Sequence, residues 1–198
     1  MLIPVHTYLS RLLFVLLFMV LAVPFSMAQN QELALAREYL SKGEYQKAET
    51  IYSKLINDER LFHTVYPDYL KTLLAQNNHK EAEKLVKRTI KRYPGQVNYN
   101  IDLGIVYQAA GDKAGAEKHF DKLIAQLKQE EVIAAASVFV QHELFDYAER
   151  AYLRGRELSK NPYEHNRSLI ALYTFRQKHE NLIGEALNLL QENESDLI

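Results

Sequence analysis

Apolar residues recur three and four positions apart along most of the chain, and polar residues fill the positions between them. Leu35, Ala36 and Tyr39 show this spacing in one stretch, and Ala48 and Tyr52 show it in the next. Such spacing places apolar side chains on one face of an amphipathic α-helix. The pattern therefore predicts an all-α protein in which short turns join amphipathic helices.

The pattern matches itself when the sequence is shifted by 34 residues. Residue types agree across three copies without a gap, and a fourth copy follows after a two-residue deletion. The matching columns are Leu35/Tyr69/Leu103, Ala36/Leu70/Gly104, Tyr39/Leu73/Tyr107, Gly43/Asn77/Gly111, Ala48/Ala82/Ala116, Tyr52/Val86/Phe120 and Ile56/Ile90/Ile124. A fixed period of this length predicts stacked helix–turn–helix units.

Two kinds of small residue explain how each unit folds. Gly43, Asn77 and Gly111 occupy the predicted turn, and glycine and asparagine tolerate the left-handed backbone conformation that ends a helix. Gly104 and Ala116 lie within the helices, where a missing or small side chain allows the two helices to approach closely. Each copy is therefore expected to be a tight helical hairpin.

The third copy carries the clearest motif, with Leu103-Gly104, Tyr107, Gly111-Asp112, Ala116 and Phe120 in register. This motif and its period resemble the tetratricopeptide repeat (TPR) family. The resemblance implies a right-handed α-solenoid of about four to five repeats. Its expected boundaries are 29–62, 63–96, 97–128, 129–162 and a degenerate pair at 163–198. The apolar run Leu182, Ile183, Ala186, Leu187 and Leu190 forms the second half of this degenerate pair, and the pair is expected to pack on the fourth repeat.

The first 28 residues have the layout of a secretory signal peptide. Residues 12–23 are uninterrupted apolar and would span about 18 Å as a helix, which is short of a bilayer core of about 30 Å. Pro24 follows, and Ser26-Met27-Ala28 offers small residues for cleavage after Ala28. The sequence thus predicts export to the periplasm or cell envelope, with an uncleaved anchor as the alternative.

Composition argues against several classes of function. Lys and Arg number 24 against 25 Asp and Glu, so affinity for nucleic acid through phosphate neutralisation is not expected. The absence of Cys excludes thiolate metal ligands and a cysteine nucleophile. His142-Glu143 fails the zinc-protease motif because Asp146 stands where the second His is required. We therefore predict no enzymatic activity, no cofactor, no metal site and no small-molecule substrate.

Two charged patterns have both a structural and a functional interpretation. An acid recurs once per repeat, at Glu49, Glu83, Glu117 and Glu149. Because a repeating unit places equivalent residues at equivalent surface positions, pairing with nearby Lys explains it better than a carboxylate catalytic site. The basic run Lys84, Lys87, Arg88, Lys91 and Arg92 is interpreted as a solvated helix face, with contact to anionic lipid as the alternative.

Stacked repeats of this family present their first helices along a concave groove, and this implies a binding surface. On these helices the face opposite the Leu35/Tyr39 core side is largely apolar. Its positions in the first two copies are Leu33, Arg37, Leu40, Pro67, Lys71 and Leu74. Those in the next two copies are Ile101, Ile105, Gln108, Ile133, Ser137 and Val140. Such a surface would suit an amphipathic helix or an extended apolar peptide, unless these residues contact neighbouring helices instead.

Taken together, these features predict an exported, non-catalytic scaffold that binds another protein in the groove. The family subclass that grips C-terminal carboxylates uses paired Lys and Asn, whereas this chain offers Leu33, Arg37, Asp68 and Asp102 there, so that specificity is not expected. The alternative is that the chain forms the N-terminal TPR module of a longer envelope assembly factor or enzyme.

Overall fold

The computed structural model describes residues 29–195, with side chains described up to residue 191. The predicted signal peptide, residues 1–28, lies outside this range. The described part of the chain is helical throughout and contains no strand. The predicted all-α helical-repeat fold is therefore confirmed.

The helices fall two to each repeat. The first, α1, covers 29–41. The others are α2 (Tyr45–Leu55), α3 (Phe62–Ala75), α4 (His79–Arg92), α5 (Val97–Ala109), α6 (Lys113–Gln126), α7 (Val132–Gln141), α8 (Phe145–Ser159), α9 (Asn166–Phe175) and α10 (His179–Ser195), with a 3-10 turn at Gln129–Glu131 before α7.

The chain divides into two compact units. Unit 1 ends at Asn78 and, in its described part, contains α1 to α3. Unit 2 begins at His79 and contains α4 to α10. Along the sequence the division falls in the turn between α3 and α4, inside the second predicted repeat rather than at a repeat boundary.

The turn within each repeat has the same backbone geometry. A left-handed residue follows the first helix at Gly43, Asn77, Gly111, Glu143 and Gln177, with φ between 56° and 85°. The next residue donates its N–H to a carbonyl near the helix end, as in Asp112 N to Tyr107 O at 2.9 Å. This hydrogen bond caps the helix as a Schellman motif does. The predicted role of Gly43, Asn77 and Gly111 is confirmed, and Gln177 extends the same turn to the fifth pair.

In unit 2 the core is built from interlocking aromatic rings. Phe120 and Phe139 are fully buried, with ring centroids 5.4 Å apart, and Tyr147 lies 4.7 Å from Phe120. A Cβ placed on Gly104 would lie 2.2 Å from Cε1 of Phe120, so only glycine fits at this point of α5. The predicted close approach of the two helices at Gly104 is therefore confirmed.

In unit 1 the core gathers around Tyr52, whose ring lies 6.3 Å from that of Tyr69. Leu33 and Ala36 of α1 are buried, whereas Leu35 is 40% exposed. The prediction that Leu35 faces the core is wrong. Tyr69, at the equivalent position of α3, is buried in the same unit. The buried side of α1 is thus set by the packing of unit 1 and not by the repeat column alone.

The α9–α10 pair joins α8 through apolar residues of α9 that enter the core of unit 2, Leu169, Leu172 and Tyr173, and through a polar cluster around Arg156. Arg156 of α8 donates to both carboxylate oxygens of Glu185, from Nη1 to Oε1 at 2.9 Å and from Nη2 to Oε2. Its Nη2 also donates to Oδ1 of Asn166, and its Nε donates to the carbonyl of Glu164 at 2.8 Å. A bidentate pair of this kind is both strong and directional. It therefore fixes where α9 and α10 dock on α8.

Candidate protein-interaction surfaces

The first helices of unit 2 expose one of the predicted surfaces. Ile133, Ser137 and Val140 lie along one side of α7 and are exposed, with Ile133 61% exposed. Ile105 and Gln108 of the neighbouring helix α5 are partly buried. We call these five residues the α5/α7 surface.

The opposite side of α7 explains why this surface is held in place. Val132, Ala135, Ala136 and Phe139 are all fully buried in the core of unit 2. Nearly every side of α7 is apolar. Because only one of its faces is buried in the core, Ile133 and Val140 on the opposite face remain exposed to solvent. Contiguous exposed apolar surface, rather than one exposed side chain, marks interaction sites, and Ile133 and Val140 lie on the same side of α7.

Unit 1 presents a more polar set of the predicted residues. Arg37 and Lys71 are exposed, and Leu40 and Leu74 are partly buried. Arg37 Nε lies 2.8 Å from Oδ2 of Asp68, so the charge of Arg37 is balanced within unit 1. We call Arg37, Leu40, Lys71 and Leu74 the α1/α3 surface.

Two residues of the predicted groove lie in the interior instead. Leu33 is buried in unit 1 and Ile101 is fully buried in unit 2. The reason for Ile101 is that α5 contacts α4, α6 and α7, so little of its circumference remains free. Leu33 and Ile101 therefore belong to the core and cannot contact a partner in this conformation.

Below the α1/α3 surface, Tyr52 is a buried phenol. Burial raises the pKa of Tyr52 to about 12, and nearby Asp68 acts in the same direction while Arg37 opposes it. A phenol with this pKa stays protonated and neutral at physiological pH. Tyr52 thus contributes bulk to the core and offers no base for catalysis.

The recurring glutamates make structural contacts. Glu49 accepts a hydrogen bond from Nε2 of Gln76, at the end of α3, at 2.8 Å. Glu83 pairs with Lys87 one turn later on α4, at 2.6 Å. Glu149 accepts from Lys178 Nζ at 2.8 Å, beside the turn that precedes α10. These contacts favour the structural interpretation of the repeated acid.

The basic residues of α4 are only partly paired. Lys84 lies 3.3 Å from Glu81 and Lys87 lies 2.6 Å from Glu83, and the side chains of both lysines are more than half exposed. Arg88 and Lys91 are exposed on the same helix. Exposed pairs of this kind contribute little to stability, so α4 keeps a positive outer face.

The described residues were also compared with the requirements of a metal site and of a membrane-spanning helix. Across 29–195, the histidines and carboxylates form no group of three or more that could hold a metal ion. In the same range, every helix is too short or too polar to cross a membrane.

Helical hairpins repeated in sequence order define an α-solenoid type of protein, in which each repeat packs on its neighbours. A family model described as "Tetratricopeptide repeat" matches residues 73–137, which run from the end of α3 into α7. The chain therefore resembles tetratricopeptide repeat proteins in residues 73–137 and in its order of helices. Repeats of this family typically act as non-catalytic scaffolds that bind other proteins.

Several solved structures resemble the chain at low identity. PilF of Pseudomonas aeruginosa is 19% identical, with a TM-score of 0.41 over 82% of this chain and 75% of that one. A tetratricopeptide repeat protein of Parabacteroides merdae is 14% identical, with a TM-score of 0.43 over 86% and 68%. A thermophilic TPR protein of Thermus thermophilus is 16% identical, with a TM-score of 0.42 over 85% and 93%. The comparison with curated proteins gives no match.

Proposed function

We propose that this protein is an exported interaction scaffold that binds a helix or extended peptide of a partner on the α5/α7 surface. The observation that carries the proposal is the exposure of Ile133 at 61% next to Val132, which is fully buried. An isoleucine held in water by a rigid helix gains free energy when a partner covers it. The α5/α7 surface therefore supports binding without any change in the fold.

The chemistry of the surface indicates the kind of partner. Ile133 and Val140 are apolar, while Ser137 and Gln108 offer hydrogen-bonding groups between and beside them. Complete burial of one such aliphatic side chain contributes about 1.5–3 kcal/mol. A partner with an apolar stripe and few charges fits this combination, as an amphipathic helix does when it binds in a groove.

The location of this activity is also part of the proposal. The apolar run at residues 12–23, followed by Pro24 and Ser26-Met27-Ala28, supports export to the periplasm or cell envelope. Fractionation of cells that produce the full chain tests this: we expect the protein in the periplasmic or membrane fraction, with a mass reduced by cleavage after Ala28. Recovery of the uncut chain from the cytoplasm would contradict it.

The binding site is tested by replacing one exposed side chain with a charged one. We expect Ile133→Glu to abolish recovery of a specific partner when the tagged protein is crosslinked and purified from its own cell envelope. Leu153→Glu is the matched control, because Leu153 is an exposed leucine on α8, outside the α5/α7 surface. Helical circular dichroism should be unchanged in both variants. If Ile133→Glu retains the same partner as the unaltered protein, the α5/α7 surface is not the site.

A further inference from the structure

The outer face of α10 is a second exposed apolar surface, separate from the α5/α7 surface. Ile183, Leu187 and Leu190 are 60%, 55% and 60% exposed and lie four and three residues apart. Ala186 and Gly184 are exposed beside them, and a Cβ placed on Gly184 would meet nothing within 4 Å. We call these five residues the α10 face. The fifth pair docks on α8 as expected, but Ile183, Leu187 and Leu190 remain exposed.

Equivalent positions in earlier repeats show what such a face normally does. Counted from the left-handed turn residue, Leu190 corresponds to Ile56, which follows α2, and to Ile124 of α6, both of which are buried. Ala186 corresponds in the same way to Tyr52 and Phe120, which are also buried. In unit 1, α2 contacts the helix that follows it, α3. Leu190 and Ala186 thus occupy positions that are buried in earlier repeats, whereas Ile183 and Leu187 place apolar side chains where the third repeat has Glu117 and Asp121.

The acidic residues of α10 indicate which kind of helix can cover the α10 face. The sequence of α10 contains four glutamates and neither Lys nor Arg. Of these, Glu185 is buried and paired with Arg156, whereas Glu180 in the first turn is exposed. A second copy of α10 packed on this face would bring acids against acids, which costs free energy. A helix with basic residues beside its apolar stripe would instead gain from the same charges.

We propose that the α10 face binds an amphipathic helix of a partner protein whose apolar stripe is flanked by Lys or Arg. The apolar residues of that helix cover Ile183, Leu187 and Leu190, and its basic residues lie beside the acidic positions of α10. Gly184 leaves room for a close helix crossing, because it presents no side chain. This proposal does not depend on the α5/α7 surface.

Two labelled synthetic peptides test the proposal with the full chain. Both are helical and share the same leucine stripe, but one has Lys at the flanking positions and the other has Glu. We expect the Lys-flanked peptide to bind at least tenfold more tightly by fluorescence anisotropy, and its advantage to shrink at high salt. Equal affinity of the two peptides would overturn the charge argument and with it the proposal.

Variants locate the site. The double substitution Ile183→Gln and Leu190→Gln should weaken binding of the Lys-flanked peptide at least tenfold, with no change in helical circular dichroism. Ile133→Gln on α7 is the matched control and should bind as the unaltered chain does. Unchanged binding by the double variant, or loss of binding by Ile133→Gln, overturns the assignment. Sedimentation that shows a dimer, abolished by the double variant, would assign the α10 face to a second copy and also overturn the proposal.

Discussion

Repeats three and four, which comprise α5 to α8, and the α9–α10 pair share the same turn but are held together by different interactions. Phe120, Phe139 and Tyr147 interlock in the former, with Gly104 allowing the close approach. The α9–α10 pair adds Leu169, Leu172 and Tyr173 to the same core but also joins α8 through the ion pair of Arg156 and Glu185, and α10 leaves much of its apolar surface exposed. A shared repeat period therefore sets the helix order, while the packing of each repeat depends on its own residues.

The largest effect is expected from emptying the aromatic core. Phe120→Ala removes a fully buried ring, and we expect a loss of about 3–5 kcal/mol in the free energy of unfolding. Hydrogen exchange measured by mass spectrometry should show faster exchange across α5 to α8. Phe175→Ala is the matched control, because Phe175 is largely exposed and its truncation should change little. Equal effects of the two substitutions would mean that the aromatic cluster does not hold repeats three and four.

A smaller effect is expected at the polar junction. Glu185→Gln leaves the guanidinium of Arg156 without its counter-charge, and we expect a loss of about 1–3 kcal/mol. Hydrogen exchange should accelerate in α9 and α10 and stay unchanged in α5 to α7. Glu180→Gln on the exposed side of α10 serves as the control. If hydrogen exchange instead accelerates equally across all of unit 2, repeats three and four and the α9–α10 pair unfold together, and the proposed difference between them is wrong.

The turns offer a direct comparison of the two regions at a single backbone position. Glu143 and Gln177 have φ values of 58° and 56°, which a residue with a Cβ adopts at some cost. We expect Glu143→Gly to stabilise repeats three and four by about 0.5–1 kcal/mol, and Gln177→Gly to stabilise the α9–α10 pair by a similar amount. Chemical denaturation monitored by hydrogen exchange measures the stability of repeats three and four separately from that of the α9–α10 pair. Destabilisation by either glycine would show that the side chain contributes more than the backbone strain costs.

The smallest effect is a pH dependence that arises from His165, at the start of α9. Burial lowers the pKa of His165, with Glu164 opposing this shift and Arg156 adding to it. Because the unfolded chain then binds more protons than the folded one, the contribution of His165 to stability is present above a pH of about 6.5 and is lost as pH falls below it. His165→Asn keeps a residue that tolerates the positive φ of 64° and should reduce this dependence.

Thermal unfolding at pH 7.5 and pH 5.5 measures this dependence. If His165→Asn and the unaltered chain lose the same stability between the two pH values, His165 is not the group responsible.

Sequence reasoning found the helices, the turns and part of the candidate surface. Ile133, Ser137 and Val140 are exposed on α7, where the sequence predicts the face opposite the core. Ile101 is buried, because α5 contacts three other helices. A single helix pattern shows which side is apolar, but it does not show how many neighbours cover that side.

The sequence alone determined the all-α class, the period of the helical hairpins and the left-handed residue in the first three turns, because these depend on local spacing and backbone preference. Only the tertiary structure decided that Leu35 is exposed and Leu33 buried, that Arg156 and Glu185 pair across 29 positions, and that the α10 face has no neighbour among the described residues. The physical reason is that burial and ion pairing depend on which helices contact each other in the folded chain. Matching residue types at equivalent positions of the repeats do not show whether another helix covers a given position.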